Sequence, residues 1–149
     1  MKVRHAALAV AAVLGGVAAV LVQAQQFTPE QLKFQRNPAT GSEISAVWGD
    51  PSKPAPFVTR VKYPAGFKAM PHSHPVEIHV TVLSGTLLFA EGKTFDESKL
   101  KEYPAGSFIV EKANVPHYQM AKGPVMFQAS GTGPNAFNFV NPKDDPRKK

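Results

Sequence analysis

Beyond residue 55 the chain breaks into short apolar runs, each closed by glycine or proline, and this punctuation constrains the fold more than any other feature. Phe57-Val58-Thr59-Arg60-Val61-Lys62-Tyr63 alternates apolar and polar residues, the period of a half-buried strand. Pro64-Ala65-Gly66 ends it. Glu77 to Leu83 is β-branched and apolar, and Ser84-Gly85 turns it into Thr86-Leu87-Leu88-Phe89. Further strands are expected at Ile44 to Trp48, Ser107 to Glu111, His117 to Met120, Val125 to Ala129 and Ala136 to Val140. Phe95 to Glu102 suits a short helical excursion. Thr28-Pro29-Glu30-Gln31 reads as the start of a short N-terminal helix, with a capping residue, proline at the first helical position and an acid. Many short strands at this spacing predict an all-β, antiparallel sandwich or small barrel. The sequence shows no repeat, no low-complexity stretch and no second domain.

The first 24 residues have a different character. Met1-Lys2-Val3-Arg4-His5 is a basic head, Ala6 to Val22 is an apolar run, and Val22-Gln23-Ala24 sets small residues at the cleavage positions. This is the three-part pattern of a secretory signal peptide. The alternative is an uncleaved anchor, for which the Ala- and Gly-rich run is marginal in length and weakly apolar. Cleavage after Ala24 leaves a domain of residues 25–149, periplasmic or secreted, with no stable membrane insertion. The chain has no cysteine, which excludes disulfides, thiol nucleophiles and Cys-based metal sites and suits an oxidising compartment.

Without Lys2 and Arg4 the balance is 15 basic against 11 acidic residues, or +4. No basic stripe interleaves with aromatics, so nucleic-acid binding has little support. The basic tail from Lys143 to Lys149 reads as a solvated end. Ser73 lies between two histidines without an acid to orient either, which argues against a serine nucleophile. Gly131-Thr132-Gly133 runs into Pro134 and reads as a turn, not a phosphate loop.

The chemistry concentrates in the histidines. With His5 set aside, the remaining four are His72, His74, His79 and His117, and they fall in two motifs, Gly66 to His79 and Gly106 to His117. Neutral imidazole is the commonest metal ligand, so this clustering predicts one metal site built from two distant segments.

The two motifs resemble those of the cupin superfamily. Gly66-x5-His72-x-His74-x3-Ile78-x6-Gly85 has the spacing of the first cupin motif, and Gly106-x5-Lys112-x-Asn114-x2-His117 that of the second. The resemblance covers residues 47–140 and implies a single-domain jelly-roll β-barrel. It also implies one divalent metal ion (Fe, Mn, Zn, Ni or Cu) held by His72, His74 and His117. The family's glutamate position falls on Ile78, which cannot ligate. Strand alternation puts Ile78, Val80 and Val82 on one face and Glu77, His79 and Thr81 on the other. If Ile78 faces inward, the site has three histidines and open positions. If a bulge near Pro75 slips the register, Glu77 or His79 turns inward as a fourth ligand. The favoured expectation is a three-His site with His79 as the candidate fourth ligand and Glu77 as a surface or supporting carboxylate. In the second motif Lys112 and Asn114 replace proline and glycine, and Asn114 tolerates the left-handed turn. Gln119 and Met70 are candidates for lining the pocket, whereas Tyr118 should face away from the metal.

Three functional classes remain open from sequence, the third and weaker being a metal-free structural protein of this fold. One is an exported metal-dependent enzyme of dioxygenase type, or one that uses the metal as a Lewis acid on a small molecule. Another is a non-catalytic module that binds a small ligand or a metal. The resemblance also implies a homodimer, because open barrel edges need covering.

Overall fold

The computed structural model describes residues 25–148. The expected signal peptide, residues 1–24, lies outside them. Among the described residues eleven strands run in chain order: β1 (Gln35–Arg36), β2 (Glu43–Trp48), β3 (Pro56–Tyr63), β4 (Lys68–Ser73), β5 (Ile78–Ser84), β6 (Thr86–Glu91), β7 (Lys101–Pro104), β8 (Phe108–Glu111), β9 (His117–Ala121), β10 (Val125–Thr132) and β11 (Asn138–Phe139). They form a six-stranded sheet in the order β1-β2-β3-β10-β5-β8 and a five-stranded sheet in the order β11-β4-β9-β6-β7. All pairings are antiparallel. From β3 to β6 and again from β7 to β11, successive strands change sheets, so the chain winds as a two-sheet jelly roll.

The two-residue period builds the interior. Along β3, Phe57, Thr59, Val61 and Tyr63 are buried and their neighbours are not. Along β5, Ile78, Val80 and Val82 point in. These side chains meet Phe127 of β10 and Ile109 of β8 in one core, and Leu87 and Phe89 join them from the facing sheet. Packing two inner faces in this way removes most of the apolar surface from water, the main favourable term in folding.

The turns are held by residues that accept positive φ. Gly85 joins β5 to β6 at φ +75, and a Cβ there would lie 2.2 Å from the Pro124 carbonyl oxygen, so only glycine fits. Asn114 adopts φ 63 before β9, as its tolerance of the left-handed region predicts.

Two local expectations change, and one strand is added. The N-terminal helix is a single 3-10 turn, Pro29–Gln31. The excursion at 95–102 is a 3-10 turn, Glu97–Lys99, followed directly by β7. Lys68–Ser73 is a strand despite Pro71, because a register break in the β4–β9 pairing between Ala69 and His72 accommodates it. Among the described residues no helix is long and apolar enough to cross a membrane.

Candidate metal centre

His72 lies on β4, His74 just beyond that strand, and His117 at the start of β9. His72 and His117 are direct partners across the β4–β9 ladder, and His74 shares the face of His72 two residues on. All three are buried; His117 is 1% exposed. The strand pairing therefore gathers residues that are more than forty positions apart in sequence.

Each ring is oriented by its own backbone partner. The Nδ1 atoms donate to carbonyl oxygens: His72 to Met70 at 2.7 Å, His74 to Ala136 at 2.9 Å and His117 to Val115 at 3.1 Å. A carbonyl only accepts, so each Nδ1 carries the proton and each Nε2 presents a lone pair. One ligand nitrogen from each ring lies within 4.8 Å of the other two. The Nε2 of His117 is buried with no hydrogen-bond partner. Phe137 packs on His72 and His74, and Phe89 stacks on His117 at 5.5 Å between centroids. Burial lowers all three histidines: His72 well below its ordinary value, helped by its two neighbouring rings, His74 less, and His117 to about 4. Three neutral imidazoles aimed at one point, one of them with an orphaned nitrogen, fit a divalent metal ion.

The structure does not bring His79 to this point. It lies on the outer face of β5, about half exposed, where its Nε2 is 2.7 Å from Glu77 Oε1. The physical reason is register. The β5–β8 ladder is unbroken from Ile78 to Thr81, so Ile78 keeps the inward face and no slip turns its neighbours in. The candidate fourth ligands His79 and Glu77 are thus replaced by a surface pair.

A carboxylate that the motif reading missed stands in the site instead. Glu111, on β8, is 4% exposed. Its Oε2 lies 3.6 Å from His74 Nε2 and 3.5 Å from His117 Nε2. Its Oε1 accepts a hydrogen bond from Gln119 Nε2, and Gln119 Oε1 accepts one from the Tyr63 hydroxyl at 3.0 Å. The signal for Glu111 was the alternation Phe108 out, Ile109 in, Val110 out, Glu111 in. Burial raises its carboxyl to about 8 in the absence of a cation, and a bound metal ion would reverse that shift. Gln119 faces inward as expected. Tyr118 faces away, donating to the Asp96 carbonyl at 3.1 Å. Met70 is half-buried and contributes its carbonyl to His72.

Beside the histidines a cavity of about 440 Å³ opens between the sheets. Phe57, Val61, Val80, Phe127 and Phe137 form its apolar walls, and Asn37, Thr40 and Asn135 supply polar groups. Among the described residues no lysine or arginine lines it. This volume is in the range of small-molecule sites.

No family model matches the sequence, and no curated protein matches it. Solved structures do. The polyketide cyclase RemF from Streptomyces resistomycificus superposes with a TM-score of 0.67 at 16% identity, over 85% of this chain and 92% of that one. A protein from Methylibium petroleiphilum assigned as an acetylacetone dioxygenase gives 0.63 at 19% identity, over 84% and 86%. An RmlC-like cupin from Shewanella frigidimarina gives 0.58 at 14% identity, over 74% and 92%. Likeness at such low identity shows the fold alone: the chain has the two-sheet jelly-roll fold that these structures share, an RmlC-like cupin among them.

Proposed function

We propose that the chain is an exported cupin that holds one divalent metal ion through His72, His74 and His117 and acts on a small molecule in the barrel. The observation that carries this reading is the set of three Nδ1–H groups fixed on backbone carbonyls, which leaves three Nε2 lone pairs converging on one point. A divalent ion there would polarise a substrate oxygen, and a redox-active one would also support oxygenation. The chain's own residues do the rest. The apolar walls exclude water and hold the substrate body, and Glu111, ionised once the ion is bound, would set negative charge against His74 and His117. Among the described residues no lysine or arginine lines the cavity, so the metal ion would be the main positive charge that a substrate meets there. Neighbours of the same fold include a polyketide cyclase and an assigned dioxygenase, which supports small-molecule chemistry of this general kind.

Export rests on the pattern of Met1 to Ala24. A homodimer is proposed through β8, the edge of the six-stranded sheet, where Phe108 is 59% exposed and Val110 is also exposed. Ile78 at the family's carboxylate position favours a second reading, a non-catalytic binding module.

The test is to load the 25–149 chain with Fe(II), Mn(II) or Zn(II) and offer a panel of phenols, diketones and hydroxyketones. Oxygen uptake and product masses are followed. Metal- and substrate-dependent turnover supports the enzyme. Saturable binding without any product across all three metals replaces it with the binding module.

A further inference from the structure

Ile78 and Glu111 are direct partners in the β5–β8 ladder. Side chains of such a pair leave the same face of the sheet with Cβ atoms about 5 Å apart. A carboxylate at position 111 therefore enters the cavity beside the place where one at position 78 would. Both residues are buried and both line the cavity.

The distances indicate what the carboxylate is for. Oε2 is 3.5 and 3.6 Å from two Nε2 atoms. These separations are too long for good hydrogen bonds. They match the roughly 3.4 Å edge between two ligands of one ion when each bond is about 2.1 Å. The Nε2 of His117 is left without a partner although a carboxylate oxygen stands next to it. The other oxygen, Oε1, is held by Gln119, which is held in turn by Tyr63. This buttress keeps the carboxyl plane from turning and leaves Oε2 toward the histidines.

We propose that Glu111 is the fourth protein ligand of the metal, so that the site is three histidines and one carboxylate, with the carboxylate supplied by β8 from across the strand pair. Gln119 and Tyr63 are its positioning residues. The inference rests on the metal-binding reading above. A hard, anionic oxygen would shift preference toward Fe(II) or Mn(II) and away from softer ions. Glu111 flanks the His74–His117 edge, which leaves the remaining coordination positions for substrate.

The test compares the full mature chain with Glu111→Gln, which keeps the shape and removes the charge. Zn(II) affinity is measured by chelator competition, and the visible spectrum of the Co(II)-loaded protein reports the ligand set. Near-UV circular dichroism checks that the variant folds. The expected result is a loss of more than about 100-fold in Zn(II) affinity, beyond the 10- to 100-fold typical of an outer partner, with shifted Co(II) bands. The double variant Ile78→Glu/Glu111→Gln moves the carboxylate back across the ladder and should recover at least about tenfold of that affinity. It also keeps the proposal testable if the single variant folds poorly. Affinity within about tenfold of the parent, or an unchanged Co(II) spectrum, overturns the proposal. If His72→Ala/His74→Ala abolishes metal binding while Glu111→Gln does not, only this inference fails. If the parent chain binds none of the metals, the metal-binding reading fails with it.

Discussion

Removing metal should leave the protein with a stability maximum near pH 6.5, and the buried histidines and Glu111 set both limbs. On the acid side, His117 titrates near 6.5 when unfolded and at about 4 when folded. Below 6.5 the unfolded chain binds a proton that the folded one refuses, so stability is lost as pH falls from 6.5 toward 4. The 2.5-unit difference corresponds to about 3 kcal/mol, at about 1.4 kcal/mol per unit. His72 is lowered further and adds to the same slope, and His74 contributes in the same direction. Glu111 acts oppositely. Its carboxyl is raised from 4.5 to about 8 in the fold, so the folded state keeps a proton that the unfolded state releases. Its contribution is fully present below 4.5 and is lost as pH rises to 8. From pH 6.5 to 8 it acts alone and removes about 2 kcal/mol. Between pH 6.5 and 4.5 His117 offsets it, and His72 and His74, both lowered, tip the balance, so stability falls as pH falls. Asp50, Asp96 and Asp145 are lowered from 3.8 by local hydrogen bonds and act below this window. The assay is urea unfolding of the EDTA-treated mature chain at pH 4.5, 6.5 and 8.5, with Glu111→Gln beside it. The alkaline limb should vanish in that variant. Stability that is flat or monotonic across this range would refute the buried, neutral site.

Other outcomes follow from the same geometry. Gly66 and Gly85 have nearly equal positive φ, but a Cβ at Gly66 meets nothing within 4 Å whereas one at Gly85 meets backbone at 2.2 Å. Gly66→Ala should cost about 1 kcal/mol by thermal or urea melting and Gly85→Ala clearly more, about 3 kcal/mol or above. Tyr63→Phe leaves the buried Gln119 oxygen without its donor, which should cost about 1–3 kcal/mol in urea unfolding of the metal-free protein. Val80→Phe fills part of the cavity, so calorimetric titration should show weakened small-molecule binding while metal content stays at the parental level.

The sequence disclosed the fold where one face of a strand is buried and the other wet. Phe57 to Tyr63 and Ile78 to Val82 alternate cleanly because one sheet face packs on the core. The motif spacing delivered His72, His74 and His117, and the ladder places two of them opposite each other. It did not disclose β4, because Pro71 argues against a strand unless the pairing is broken locally, and that break is a tertiary feature. Residues 95–102 look helical by composition, but packing extends Lys101–Pro104 along β6. Glu111 escaped because its importance lies in a partner 33 positions away: the family's position pointed to Ile78, and only the β5–β8 register shows which residue stands beside it. His79 and Glu77 attracted attention by proximity in sequence, but strand alternation sends them outward to bond each other.

The most direct test of the central claim is metal content. The mature chain, produced without an affinity tag and recovered from the exported fraction, is compared with His72→Ala/His74→Ala by elemental analysis. About one divalent ion per chain in the parent and none in the variant is the predicted result. A parent chain that stays metal-free after incubation with Fe(II), Mn(II) and Zn(II) at neutral pH, or a variant that keeps its ion, would contradict the account.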